Sequence, residues 1–269
     1  MATYRQWATK QRIWDIGKKP IVLAHRAGGN EAPENSLTAF AKMEQLGFRY
    51  IETDAHTTKD GVVILFHDPI LDRTTNGHGP IGNYEWADLT QVRDGSGNVP
   101  LRLDTVLEKY PHLVLNIDAK SWRVVSPLAR VIYEQHAVSR VSLAAFSEFR
   151  LKVLRHLLPG VTTSLGEGAI ATLVLLSRFP KRIQPLFDWL VPGVKRGVQA
   201  VQVPASLAKI PVVTKRFIDL CHRRGQAVQV WTINDADEMI RLLALGVDAL
   251  ITDEPSLARR VIDQFSRAR

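Results

Sequence analysis

Glu52 and Asp54 stand two residues apart in 49–54, a run whose composition reads as a β-strand. At that spacing both side chains leave the same face of the strand. Two carboxylates so close repel each other unless a proton or a cation lies between them. Hard carboxylate oxygens suit Mg²⁺ or Ca²⁺ better than a thiophilic metal. The plainer alternative is a solvated pair on an outward face. Asp118 and Lys120 repeat the spacing in Leu-Asn-Ile-Asp-Ala-Lys at 115–120, adding a third carboxylate and a cation. His25 is followed at once by Arg26, and His67 by Asp68 and Pro69. A lone histidine is more often structural than reactive. Two of them, grouped with three carboxylates, Arg26 and Lys120 at predicted strand ends, suit phosphodiester cleavage. Cations stabilise the phosphoryl oxygens while one imidazole takes a proton and the other supplies one. The chain offers no Walker loop, dinucleotide fingerprint or competing nucleophile constellation.

The elements that must position these groups follow from the pattern of β-rich runs alternating with helical periods, which predicts a parallel α/β sheet or barrel. Candidate barrel strands cover 21–25, 49–54, 113–118, 140–145, 161–165, 198–203, 227–232 and 249–252. Eight strands close a (β/α)8 barrel, whose reactive groups sit at the C-terminal ends of the strands. Helices are predicted over 35–46, 122–135, 147–158, 212–224, 236–245 and 255–267, with Gly47, Gly160, Gly225 and Gly246 as C-terminal caps. A ninth β-rich run, 62–67, follows the second strand too closely for a crossover. Asp60-Gly61 marks a hairpin that places His67 opposite Thr53 or Asp54, over the mouth of the barrel.

Composition sets the limits. The 269 residues are 45% hydrophobic and 23% charged, which is globular and too apolar for disorder. They read as one domain with its core at 21–258, an N-terminal extension at 1–20 and a short loop-rich insertion at 70–100. The net charge of +8 favours an anionic partner without choosing among phosphate esters, acidic membrane and nucleic acid. Its basic residues are dispersed, with no aromatic-basic recognition motif, so no nucleic-acid partner is expected. One cysteine, Cys221, excludes an intrachain disulfide and favours a reducing, cytoplasmic setting. No apolar run approaches the ~20 residues of a bilayer span.

The ordered motifs resemble the glycerophosphodiester phosphodiesterases. They include Leu-Ala-His-Arg at 23–26, Ala-Pro-Glu-Asn-Ser at 32–36, Ile-Glu-Thr-Asp at 51–54, Leu-Phe-His-Asp at 65–68 and Asn-Ile-Asp-Ala-Lys at 116–120. Val-Trp-Thr-Ile-Asn at 230–234 and Ile-Thr-Asp-Glu-Pro at 251–255 extend the resemblance almost to the C-terminus. It implies a TIM barrel hydrolase that releases sn-glycerol 3-phosphate and an alcohol. On that reading His25 and His67 are the acid/base pair, Glu52, Asp54 and Asp118 hold the metal, and Arg26 and Lys120 neutralise phosphate. Trp231 is an apolar wall of the glycerol pocket, or else a core aromatic. Glu34 and Asn35 cap the first helix, or Asn35 lies near the metal. The chain departs from the family pattern at Asp118, where glutamate is usual, at Ala27, where glycine is, and at Ser36, where threonine is. The insertion is short by the family's standard, which leaves room for a bulky leaving group.

Two stretches bear on a lipid substrate. Residues 169–194 are largely apolar with Arg178, Lys181 and Arg182 among them; they form an acyl-holding lip or an ordinary barrel helix. Trp7 and Trp14 with basic neighbours lie at a membrane surface, or pack under the barrel floor. The expected activity is metal-dependent hydrolysis of soluble glycerophosphodiesters. The alternatives are a lysophospholipase D-like activity with peripheral membrane contact, and a nonenzymatic anion-binding barrel.

Overall fold

A computed structural model describes residues 12–208 and 210–267. Eight parallel strands form the barrel: β1 (Ile21–Ala24), β2 (Tyr50–Thr57), β5 (Val114–Ala119), β6 (Val141–Ala144), β7 (Thr162–Thr163), β8 (Ala200–Pro204), β11 (Ala227–Trp231) and β12 (Ala249–Thr252). Each neighbouring pair is parallel, and a single bridge from Thr163 to Val198 links β7 to β8 and completes the ring. All eight strands fall where the apolar runs place them. β1 lies beside β12 with Ala24 opposite Thr252, so the first and last strands are neighbours.

β2 runs past the barrel rim and folds back into β3 (Val63–Leu65), with Ala55 opposite Leu65. The Phe66 N–H donates to the Asp54 carbonyl at 3.0 Å, and Gly61 at φ 86° makes the turn. This is the register expected from Asp60-Gly61. β3 also pairs with β4 (Leu101–Arg102), which closes off the insertion. That insertion is more than loop: it holds α2 (Trp86–Leu89), and its Leu71, Ile81, Leu89 and Val92 pack with Ile64 and Phe66 as a satellite apolar cluster.

Helices pack outside the strands: α1 (Leu37–Gln45), α3 (Leu103–Lys109), α4 (Val125–Glu134), α5 (Glu148–Leu157), α6 (Glu167–Ser177), α7 (Lys215–Arg223), α8 (Ala236–Leu245) and α9 (Pro255–Arg267). All but α3 and α6 answer to a predicted segment; α3 spans only seven residues. Gly47, Gly160, Gly225 and Gly246 follow helices at positive φ, the conformation that stops a helix with least strain in glycine. Ser36 caps α1 by accepting from the Ala39 N–H, so neither Glu34 nor Asn35 has that task. A small antiparallel hairpin, β9 (Ser206–Leu207) with β10 (Ile210–Pro211), follows β8.

Trp14 closes the opposite end. It is 1% exposed and packs with Val114, Ala200, Ala227 and Ala249, the first residues of four strands. Its indole N–H donates to Ser142 Oγ at 3.2 Å, which satisfies the buried polar end of the ring. Trp14 is therefore a floor residue and cannot lie on a membrane; Trp7 lies outside the described residues. None of the described helices is long and apolar enough to cross a bilayer.

Candidate active site

The C-terminal mouth opens into a cleft of about 760 Å³ lined by His25, Arg26, Glu52, Asp54, His67, Asp118, Lys120 and Trp231. Eight of the ten residues singled out from sequence thus face one space. Glu34 and Asn35 stand just behind it.

His25 follows β1 directly and meets Asp253, which follows β12. Its Nδ1 lies 2.6 Å from Asp253 Oδ1, and its Nε2 lies 3.8 Å from Glu52. Asn234, beyond β11, donates to the other Asp253 oxygen at 2.9 Å. Nδ1 is thus held by a carboxylate, while Nε2 makes no hydrogen bond among the described residues. Burial alone would lower the pKa of this imidazole, but the Asp253 hydrogen bond and the charges of Glu52 and Asp253 outweigh it and raise it.

His67, delivered by the hairpin, is arranged in the same way, with Nδ1 2.7 Å from Asp68 Oδ1. Asp68 in turn accepts from Arg73, whose two terminal nitrogens reach Glu34 at 3.1 and 2.6 Å. Glu34 also accepts from Arg26 at 3.1 Å. Burial would raise the Glu34 pKa, yet the Arg73 hydrogen bond and the Arg26 charge hold it below the usual carboxylate range. The chain Asp68, Arg73, Glu34, Arg26 therefore ties the insertion to the loop after β1 and keeps both histidine loops in one frame.

The three predicted metal ligands are adjacent. Asp54 and Asp118 lie opposite each other on paired strands, and Glu52 is one pleat below Asp54. Lys120 reaches between the first two, with Nζ 2.8 Å from an oxygen of each. Asn35 donates to the other Asp54 oxygen at 3.2 Å, and Thr53 Oγ donates to Asn35 at 2.7 Å. Arg26 Nε is 3.6 Å from the same Asp54 oxygen. Asp54 is buried, which opposes ionisation, but Lys120 outweighs this and keeps it ionised. Glu52 has no such cation: burial, then the Asp54 charge, push it up to about 7.

Among the described residues no three His, Cys, Asp or Glu side chains converge as a metal cage, and the Lys120 ammonium lies 2.8 Å from both Asp54 and Asp118. Two observations nevertheless fit a hard cation. Asp118 Oδ1 is buried without a hydrogen-bond partner, and burial with the Asp54 charge pushes Glu52 up to about 7, so a cation beside it would favour its ionised form. Carboxylate oxygens are also the donor set that Mg²⁺ and Ca²⁺ prefer.

Backbone strain is concentrated here. Arg26, Ala27 and Asn35 have φ of 50°, 61° and 53°. The turn through Arg26 aims its N–H at Glu52 Oε2, 3.2 Å away. Asparagine tolerates this region, whereas alanine pays about 1–2 kcal/mol for it.

The far side of the cleft is apolar. One face of α6, comprising Ile170, Ala171, Val174 and Leu175 between Glu167 and Arg178, lines it together with Phe146 and Leu207. The opposite face of α6 buries Leu173 and Leu176. Of the two readings of 169–194, the barrel helix is present as α6, and its other face also walls the cleft.

Fold and cleft together define a barrel hydrolase of phosphate diesters. Residues 25–257 match the model of the glycerophosphoryl diester phosphodiesterase family, and the chain belongs to that family. It is similar to a probable glycerophosphodiester phosphodiesterase of Mycobacterium tuberculosis, with 34% identity over 244 residues and 90% of each chain covered. A human lysophospholipase D is 24% identical over 285 residues, covering 91% of this chain and 86% of its own. The fold matches a phosphodiesterase of Oleispira antarctica, solved with its product sn-glycerol-3-phosphate, at a TM-score of 0.74 and 24% identity, over 91% of this chain and 97% of that one. The activity is that of a glycerophosphodiester phosphodiesterase.

Sequence reasoning left Asp253, Asn234, Asp68 and Arg73 without roles, although all four stand inside or beside its motifs. The usable signal was positional: Asp253 directly follows the strand that a closed barrel must set beside the strand before His25.

Proposed function

We propose that the cleft hydrolyses glycerophosphodiesters to sn-glycerol 3-phosphate and an alcohol by acid/base catalysis from His25 and His67, with a divalent cation, Mg²⁺ or Ca²⁺, on Glu52, Asp54 and Asp118. The observation that carries this reading is the matched pair of imidazoles, each fixed at Nδ1 by an aspartate and neither hydrogen-bonded at Nε2 among the described residues, lining the same cleft. One Nε2 accepts the proton of the attacking hydroxyl; the other donates to the departing alcohol oxygen. Arg26 and Lys120 carry positive charge to the phosphoryl oxygens. Both residues already sit against carboxylates, so their charge is fixed before substrate arrives. When bound, the cation supplies Lewis-acid stabilisation of the phosphoryl charge and offsets the repulsion between Glu52 and Asp54. Attack by the neighbouring glycerol hydroxyl, followed by opening of a cyclic phosphate, and direct attack by water give the same final products. The test is release of glycerol 3-phosphate from glycerophosphocholine with Mg²⁺ or Ca²⁺, abolished by chelator and restored by metal; turnover unaffected by exhaustive chelation refutes the metal.

A second reading concerns the substrate. The apolar face of α6 gives a glycerophosphodiester without acyl chains nothing to use, whereas a lysophospholipid would lay its chain along Ile170, Val174 and Leu175. The similarity to a human lysophospholipase D agrees with this. Turnover of lysophosphatidylcholine against glycerophosphocholine decides it: equal kcat/KM for the two sinks the acyl track.

A further inference from the structure

The rim of the cleft is lopsided. On the side of β5 to β8 it carries Trp122, Phe146, Phe149, Leu175, Leu207 and Ile210, exposed by 49, 54, 63, 58, 68 and 58%. These come from the segments that leave the C-terminal ends of four neighbouring strands. Trp122 and Phe149 meet at a tilt of 55° with 5.4 Å between ring centroids, and Phe146, Leu175, Leu207 and Ile210 also line the cleft. Cleft wall and outer surface are therefore one continuous apolar sheet. Large contiguous apolar patches on a protein surface mark interaction sites, since exposing them to water is costly.

Charge is divided along the same line. Exposed Arg123 adjoins Trp122, Arg178 ends the cleft face of α6, and Lys215 and Arg216 open α7 just after β10. The rim beyond β11 and β12 is acidic instead, with Asp235, Asp237 and Glu238 at the start of α8 and Glu254 after β12. Of the acids on the apolar side, Glu148 is engaged by Arg155 and Asp219 by Lys215 and Lys181, while Glu167 makes no ion pair among the described residues.

We propose that this lip seats on an anionic phospholipid surface, with the aromatic and aliphatic side chains in the headgroup and acyl boundary and the basic residues against lipid phosphates. Apolar insertion and several basic contacts together are the two signals that stable peripheral attachment needs. The acid-rich opposite rim then faces water, which fixes the tilt of the barrel. In that pose the apolar wall of α6 is continuous with the leaflet, and a lysophospholipid slides into the cleft without its chain crossing water. This last consequence rests on the lysophospholipid reading of the site; the docking itself does not.

Binding is measured without turnover, by cosedimentation of the full chain with vesicles of phosphatidylcholine mixed with phosphatidylglycerol and with pure phosphatidylcholine. The chain is expected to bind the anionic vesicles and to be released by salt. Phe149→Asp should weaken that binding about tenfold, and Arg216→Glu about fivefold or more. Neither residue lines the cleft, so both variants should keep their turnover of glycerophosphocholine, which also reports that they are folded. A protein that stays in the supernatant with anionic vesicles at low salt overturns the proposal. So do variants that bind as well as the parent, or dimerisation through the lip without vesicle binding, which would assign it to a second copy of the chain. Vesicle binding without hydrolysis of lysophosphatidylcholine leaves the docking intact and removes the lysophospholipid substrate.

Discussion

The two sides of the cleft are built on opposite principles. The side formed by β1, β2, β5 and β12 is a lattice of charged hydrogen bonds, in which Asp253 holds His25, Asp68 holds His67 and Glu34 holds Arg26. The side formed by α6 and the β9–β10 hairpin is apolar contact surface with little polar definition. The first is specified by direction and distance; the second only by shape and area. Damage to the first should appear in kcat for any substrate, whereas damage to the second should appear in KM and only for substrates that carry an apolar chain.

The sharpest way to break that contrast is His25→Ala or His67→Ala. Each should lower kcat by about 10²–10⁴-fold, and by the same factor for glycerophosphocholine and lysophosphatidylcholine. A loss confined to one substrate would mean that the polar side does not serve both.

Asp253→Asn comes next, with about a tenfold to hundredfold loss, by analogy with the partners that orient metal-bound histidines. Its sign in pH is definite. Burial lowers the His25 pKa, and Asp253 contributes both the largest raising effect and a further charge. Without that carboxylate burial gains, so the His25 pKa falls and the pH–rate limb that it controls moves to lower pH. Histidine NMR titration reads the same shift directly, and an unmoved resonance would deny Asp253 its role.

Gly166→Ala tests the apolar side through its backbone. A Cβ at Gly166 would come 2.3 Å from the Glu148 nitrogen, so α6 must move away from α5. The expected cost is about 1–3 kcal/mol, read as a fall in Tm. The accompanying loss in kcat/KM should be larger for lysophosphatidylcholine than for glycerophosphocholine.

Ala27→Gly should have the smallest effect. It relieves an alanine at φ 61° but removes a buried methyl group. The two contributions, about 1–2 and about 0.8 kcal/mol, leave a net gain near 0.5 kcal/mol. A rise in Tm of about 1–2 °C is expected.

The same contrast explains what the sequence disclosed. The strands were legible because both faces of a parallel strand are covered, which writes near-continuous apolar runs such as Ile21 to Ala24. The hairpin was legible because Asp60-Gly61 sets its register, and with it the place of His67. The charged residues on the strands could be found because they interrupt apolar runs at the mouth. Their partners could not be found by local pattern: His25 and Asp253 are separated by nearly the whole chain, and only barrel closure joins them. The orientation of α6 was hidden for a different reason. Apolar residues surround it on both faces, so periodicity does not say which side meets the helices and which the cleft.

Trp14 has a consequence for traffic. With the indole bolted to Ser142 under the strands, the floor of the barrel is shut among the described residues, and the cleft opens at the other end. Substrate, water and both products share that opening, so the alcohol and the phosphomonoester leave past the same residues by which the diester came in. Whichever product is gripped harder then sets the pace, and on the proposed function Arg26 and Lys120, drawing the phosphate in, would also delay its exit.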